Sequence, residues 1–113
     1  MTAIFNGVTT AIATTMNGDG SIDYAAYESL VEFQISSGIN GIVVAGTTGE
    51  GATLTIDEKL DLLKRTIRIR GDRDCAIILG TGSNNTLTAI EHTRLAKENG
   101  ADAALLVTPY YNK

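Results

Sequence analysis

The sequence predicts an α/β fold built around a parallel sheet, and three observations carry that reading. Short apolar runs alternate with amphipathic stretches that close on glycine, which is the rhythm of consecutive βα units. The run Cys75 to Leu79 is apolar without period-two alternation, as in a strand covered on both faces. The breaks that follow the apolar runs are rich in Gly, Thr, Ser and Asn, whereas those returning from the amphipathic stretches are short and plain.

Taken in order, Val8 to Ala13 is the first strand, weakened by its alternating threonines, and Asn17-Gly18-Asp19-Gly20-Ser21 is a loop. From Asp23, the residues Tyr24, Tyr27, Leu30, Val31 and Ile35 recur at helical spacing, and Gly38 ends the pattern. Gly41 to Ala45 is the second strand. Thr55-Ile56-Asp57-Glu58 has the form of a capping box and places a helix start there, with Leu60, Leu63 and Ile67 as its apolar stripe and Gly71 as its end. Cys75 to Leu79 is the third strand. A third helix is expected from about Thr86 to Asn99, burying Ala89, Ile90, Thr93 and either Ala96 or the stem of Lys97, and Ala103 to Val107 is the fourth strand.

The order β-α-β-α-β-α-β, with crossovers of this length, requires parallel pairing and right-handed connections. Both an open doubly wound sheet and half of an eight-stranded barrel satisfy it. The sequence closes on Tyr110-Tyr111-Asn112-Lys113, directly after a strand with no helix to cover it, which reads as a piece of a longer fold.

Composition narrows the function. The 113 residues carry 9 basic and 13 acidic side chains, a formal charge of −4. With basic residues scattered, binding to a phosphate backbone is not expected. No apolar run approaches the roughly 20 residues of a membrane span. A single cysteine forms no internal disulfide, and the first residues lack a secretory pattern, so the expected compartment is the cytoplasm.

The breaks after strands two to four are Gly46-Thr47-Thr48-Gly49-Glu50-Gly51, Gly80-Thr81-Gly82-Ser83-Asn84 and Thr108-Pro109-Tyr110-Tyr111-Asn112. In a parallel sheet all three emerge on one rim, where α/β proteins bind ligands. Exposed amides at the Gly46 to Gly49 turn, with a threonine hydroxyl, suit a carboxylate. Neither glycine pattern is a dinucleotide fingerprint, and no phosphate-loop Gly-Lys-Ser/Thr is present. Cys75 reads as a small hydrophobe, His92 as a solvated helix position without a metal-ligand partner, and Glu50 as either an acid-base group or a loop-orienting one. Lys59, Lys64 and Lys97 fall on helices, and no lysine falls in a buried strand where desolvation would prepare a Schiff-base nucleophile.

The segments Gly46-Thr47-Thr48-Gly49-Glu50, Ala52-Thr53-Leu54-Thr55, Asp57-Glu58-Lys59, Gly80-Thr81-Gly82-Ser83-Asn84 and Thr108-Pro109-Tyr110-Tyr111-Asn112-Lys113 closely resemble the amino-terminal part of the dihydrodipicolinate synthases, from Phe5 to Lys113 and in the same order. The resemblance implies a parallel (β/α)8 TIM barrel of which residues 1–113 cover the first four strands. It implies an enzyme that condenses pyruvate, held as a Schiff base, with aspartate semialdehyde in diaminopimelate and lysine biosynthesis, without cofactor or metal. Thr48, with the amides of Gly46 to Gly49, resembles the pyruvate-carboxylate site. Thr47 and Tyr111 resemble members of a proton relay, Tyr111 reaching into an adjoining subunit of a tetramer built from dimers. Tyr110, Asn84 and Ala52 fall where lysine-inhibited members hold the inhibitor at an interface.

The departures are equally specific. The family's Schiff-base lysine, a further relay tyrosine and a carboxylate-binding arginine belong to later strands, so the resemblance implies that the chain needs a complement. Ile56, Lys59 and Thr88 stand where lysine-sensitive members often carry His, His and Glu, and Thr14-Thr15 replaces the usual Thr-Pro. Thr47 and Thr108 favour the synthases over the related N-acetylneuraminate lyases. A non-catalytic fragment or interaction partner, or a related pyruvate-dependent aldolase, is the alternative reading.

Overall fold

The computed structural model describes residues 6–110. Four strands, β1 (Thr9–Ala11), β2 (Gly41–Val44), β3 (Ala76–Gly80) and β4 (Ala103–Leu105), alternate with three helices, α1 (Tyr24–Ser36), α2 (Ile56–Arg70) and α3 (Thr86–Glu98). Every strand pair is parallel, and the spatial order is β1-β2-β3-β4. An order that follows the chain without reversal has no switch point of the doubly wound kind, so the arrangement is that of consecutive barrel strands.

Register divides the sheet into two faces. Thr10, Ile42 and Ile77 stand in line across the first three strands, and Leu79 and Ala104 continue that face. Ile42, Val44, Ile77 and Leu79 pack in one core cluster with Tyr27 and Val31 of α1 and Leu62 and Leu63 of α2. Ala11, Val43, Ile78 and Ala103 form the opposite row, facing where a closed barrel has its interior. The helix-side core also holds a polar contact between α1 and α2. Fully buried Thr66 donates to the Leu62 carbonyl at 2.7 Å, so the Tyr27 hydroxyl donates to Thr66 at 2.8 Å. Both hydroxyls are thereby satisfied inside an apolar cluster, where an unmade bond would be costly.

Helix starts follow the sequence. The Thr55 hydroxyl accepts from the Glu58 amide at 3.1 Å while the Glu58 carboxylate accepts from the Thr55 amide at 2.8 Å, a complete capping box. Asp23 caps α1 through the Ala26 amide and Asn85 caps α3 through the Thr88 amide. At the opposite rim, Asp102 accepts from Arg70 and from the Ile77 amide, both at 2.8 Å, which ties the end of α2 to the sheet beneath it.

Two helix faces differ from expectation. The buried face of α2 consists of Lys59, Leu62, Leu63 and Thr66, while Leu60 and Ile67 lie partly buried at its margin. In α3 only Ala96 is buried, and Ile90 and Leu87 are exposed at 60% and 78%. The strands are also shorter than their apolar runs: β1 omits Val8, Ile12 and Ala13, and β4 ends before Leu106 and Val107. Leu105, Leu106 and Val107 stand at an edge with no further strand among the described residues, so their apolar character reflects an absent neighbour.

Candidate functional site

The loops at the carboxyl ends of β2, β3 and β4 converge on one cavity of about 430 Å³. Its shape begins at Ala45, which follows β2 with a left-handed φ of 54°, a conformation that turns the chain sharply and is costly for a side-chain-bearing residue. The turn sends the Ala45 carbonyl between Gly51 and Gly80, where a Cβ on either glycine would overlap that oxygen. These two glycines are therefore required by the close approach of backbone to backbone.

From Gly46 the chain makes a tight turn and enters a short 3-10 segment, Gly51–Thr53. The Glu50 amide donates to the Thr47 carbonyl and the Gly51 amide to the Gly46 carbonyl, each at 3.0 Å. The amides of Thr47, Thr48 and Gly49 have no hydrogen-bond partner among the described residues. Three successive free donors on a tight turn make a nest suited to a carboxylate.

Thr14 holds this turn from below. Its buried hydroxyl donates to the Gly49 carbonyl at 2.6 Å, joining the segment after β1 to the turn after β2. On the other side, the fully buried Thr81 donates to Thr93 of α3 at 2.8 Å, Thr93 itself donating to the Ala89 carbonyl. The two threonines fix the walls between which the cavity opens. Thr14 entered the sequence reading only as a departure from Thr-Pro, because a hydroxyl in a weak strand end gives no signal of its partner.

Gly46 and Thr47 line the cavity, as do Ala52 and Tyr110. Thr48 is exposed and Gly49 is buried in the turn; neither contributes to the lining. Asn84 lies exposed beyond the rim, outside the lining. Tyr111 lies outside the described residues. Glu50 borders the cavity from a left-handed φ of 57°. Cys75 is buried, and burial pushes its thiol above the usual range, consistent with a packing role. His92 is not the solvated position expected: its Nδ1 is buried without a partner among the described residues, and burial together with the nearby Lys59 charge lowers its pKa. Among the described residues no group of three or more His, Cys, Asp or Glu side chains is placed to hold a metal ion.

The sequence placed Lys59 on a helix and at a position where lysine-sensitive relatives often carry His, but not on the buried face. Only 5% exposed, it lies on the inner face of α2 and reaches the cavity wall, and burial lowers its pKa. Spacing had set the apolar stripe at Leu60, Leu63 and Ile67, a phase that turns Lys59 outward.

The model of the Dihydrodipicolinate synthetase family matches residues 4–113. The chain belongs to this family. It is 49% identical over 110 residues to the 4-hydroxy-tetrahydrodipicolinate synthase of Exiguobacterium sp., an alignment covering 97% of this chain and 37% of that protein. The synthase of the same name from Oenococcus oeni is 51% identical over 105 residues, covering 92% of this chain and 36% of that protein. Among solved structures, the chloride-inhibited dihydrodipicolinate synthase of Acinetobacter baumannii, complexed with pyruvate, superposes with a TM-score of 0.91 at 52% identity, over 95% of this chain and 36% of that one. The lysine-bound synthase of Cyanidioschyzon merolae gives a TM-score of 0.94 at 41% identity, over 99% and 38% of the respective chains. The chain thus spans little more than a third of the length of the curated relatives it matches. Its sheet is the first four strands of the family's (β/α)8 barrel.

Proposed function

We propose that residues 1–113 form the amino-terminal part of a single barrel domain and supply the keto-acid-binding rim of a 4-hydroxy-tetrahydrodipicolinate synthase. The reaction is the condensation of pyruvate, as a Schiff base, with L-aspartate semialdehyde. The observation that carries this reading is the row of unpartnered amides from Thr47 to Gly49, on a turn beside the cavity at the carboxyl ends of parallel strands. There, Thr48 with Gly46 and Gly49 receives the pyruvate carboxylate, and Thr47 passes a proton along a chain that continues to Tyr111. A threonine hydroxyl is too weak an acid to act singly, so its use requires such a chain. The A. baumannii relative holds pyruvate, which supports this choice of substrate.

The nucleophilic lysine, in this reading, comes from the portion of the relatives that the chain does not span. That portion also covers the apolar edge at Leu105 to Val107 and the exposed face of α3. The functional assembly is a cytoplasmic tetramer of paired dimers, with Tyr110 and Tyr111 at the tighter interface. No helix of the described residues is long and apolar enough to cross a membrane.

Reconstitution tests the reading. The chain is co-expressed with the segment of the Oenococcus oeni synthase that lies beyond the aligned residues, and condensation is followed with pyruvate and aspartate semialdehyde. Turnover that depends on both pieces, and that falls about 100-fold or more in Thr47→Val, is expected from the loss of a proton-transfer group. Turnover by the segment alone, or an unchanged rate in Thr47→Val, overturns it.

A further inference from the structure

The peptide group between Gly49 and Glu50 is held at both ends. Its carbonyl accepts from the buried Thr14 hydroxyl at 2.6 Å, and its amide donates to the Thr47 carbonyl at 3.0 Å, closing the turn that carries the free amides of Thr47, Thr48 and Gly49. That orientation has a cost. It sets Glu50 at φ 57° and ψ 36°, a left-handed conformation unfavourable for a residue with a Cβ. Turning the peptide over by about 180° would carry φ of Glu50 into the ordinary negative range and relieve the strain. It would also put the Gly49 carbonyl where the Glu50 amide now meets the Thr47 carbonyl, so the turn would open and its amides would cease to converge.

Thr14 opposes this flip from outside the turn, and its own backbone is fixed on both sides. The Ile12 amide bonds the Val43 carbonyl at 3.1 Å, while the Thr15 hydroxyl donates to the Asp23 carbonyl and the Asp23 amide to the Thr15 carbonyl, each at 2.8 Å. Gly49 is pressed onto this segment, since a Cβ there would stand 3.0 Å from the Ile12 carbonyl oxygen and 3.1 Å from the Thr14 hydroxyl. We propose that Thr14 is a positioning residue for the carboxylate site: its hydroxyl holds the Gly49–Glu50 peptide against the strain at Glu50 and so keeps the amides of Thr47 to Gly49 aimed at an anion. The inference rests on the reading above for the role of the turn. It adds that the affinity of the turn is set by the end of the first strand, where Thr14 lines no part of the cavity.

Acetate serves as the probe, because it carries the carboxylate without the keto group and its binding is independent of Schiff-base chemistry. It is titrated into the 113-residue chain at constant ionic strength, and the folded-state amide resonances of Thr47, Thr48 and Gly49 are followed. Saturable shifts are expected at all three. Thr14→Val should weaken binding about tenfold, the factor by which apparent affinity falls when the competent turn holds about a tenth of the population. Thr14→Ser keeps the donor and should stay within about twofold of the parent chain. Only folded molecules contribute those resonances, so lost stability alone leaves the constant unchanged. Adding Glu50→Gly gives a readout that a merely structural Thr14 would not move, because glycine accepts a left-handed φ without penalty. Binding by the double variant should return to within about threefold of Glu50→Gly alone, a comparison that also cancels the loss of the Glu50 charge. Thr14→Ala, which leaves no methyl group against the Gly49 carbonyl, gives the same comparison if valine prevents folding. Equal binding by the parent chain and the variant without the hydroxyl, a loss that Glu50→Gly does not recover, or no saturable response in the parent chain would each overturn the proposal. None of these outcomes reads turnover, so the proposed reaction is judged separately, by Thr47→Val in the reconstituted complex.

Discussion

Thr14→Val isolates the contact that joins the first strand to the ligand-binding turn. Valine keeps the branched shape of threonine but lacks the hydroxyl that donates to the Gly49 carbonyl at 2.6 Å. Thr14 is 5% exposed and Gly49 is buried, so water has little access to replace the lost donor. The cost is that of an unsatisfied buried carbonyl, about 1–3 kcal/mol. Against the marginal stability of a small domain this is large, and it should lower the urea midpoint by about 0.5–2 M. Thr14→Ser is the control, since it keeps the donor and gives up only a methyl group. Urea unfolding followed by circular dichroism reads the midpoint, and hydrogen exchange at Glu50 and Gly51 reads the turn directly, because those amides close it onto Thr47 and Gly46. Faster exchange at both amides in Thr14→Val, with near-normal exchange in Thr14→Ser, is expected. If valine leaves midpoint and exchange unchanged, or serine does as much damage as valine, the hydroxyl does not hold the turn.

Three other outcomes follow from the same geometry. Burial pushes the Tyr27 pKa up to about 12, so its neutral form is favoured in the folded chain, and the stability it contributes is present below about pH 10 and lost as pH rises toward 12. A near-ultraviolet absorbance titration should show one tyrosine ionising only together with unfolding, and an early, folded-state titration of all four would contradict the buried pair with Thr66. Gly80→Ala drives a Cβ into the Ala45 carbonyl and should destabilise the chain by about 1–3 kcal/mol, the usual cost of overpacking; a neutral effect in urea unfolding would show that the left-handed Ala45 corner is not fixed. Ile90→Asp alters an exposed site and should change the stability of the chain alone by no more than about 0.5 kcal/mol, yet reduce complementation by the rest of the barrel; equal effects on both would place Ile90 in the chain's own core.

What could be read from the amino acids was what local chemistry decides. The Thr55 to Glu58 capping box, the glycine ends of the helices and the apolar strand Gly41 to Ala45 depend on neighbours within a few residues, and each stands where spacing put it, with Ala45 just outside the ladder. Periodicity alone left the strand order open, because crossover length forces parallel pairing without saying on which side each new strand is laid, and the order β1-β2-β3-β4 came from the resemblance to the barrel family. The phase of α2 was misjudged for a related reason. Leucines at 60, 62 and 63 allow two overlapping stripes, and tertiary packing chose the one that carries Lys59 inward. Ile90 signalled burial by its type, but its partner surface is not among the described residues. The glycine-rich turn was visible as a motif, whereas its free amides and the Thr14 contact arise only when β1 and β2 pair.

The division of labour between this chain and the rest of the barrel is tested most directly by borohydride trapping. The reconstituted complex is incubated with pyruvate, reduced, digested and mapped by mass spectrometry. The expected result is a single pyruvate-derived adduct on a lysine of the complementing segment, with none on the 113-residue chain, whose amides and hydroxyls position the keto acid. A reduced adduct on Lys59 or any other lysine of this chain would contradict the assignment of roles, as would the absence of an adduct anywhere in a complex that is fully assembled.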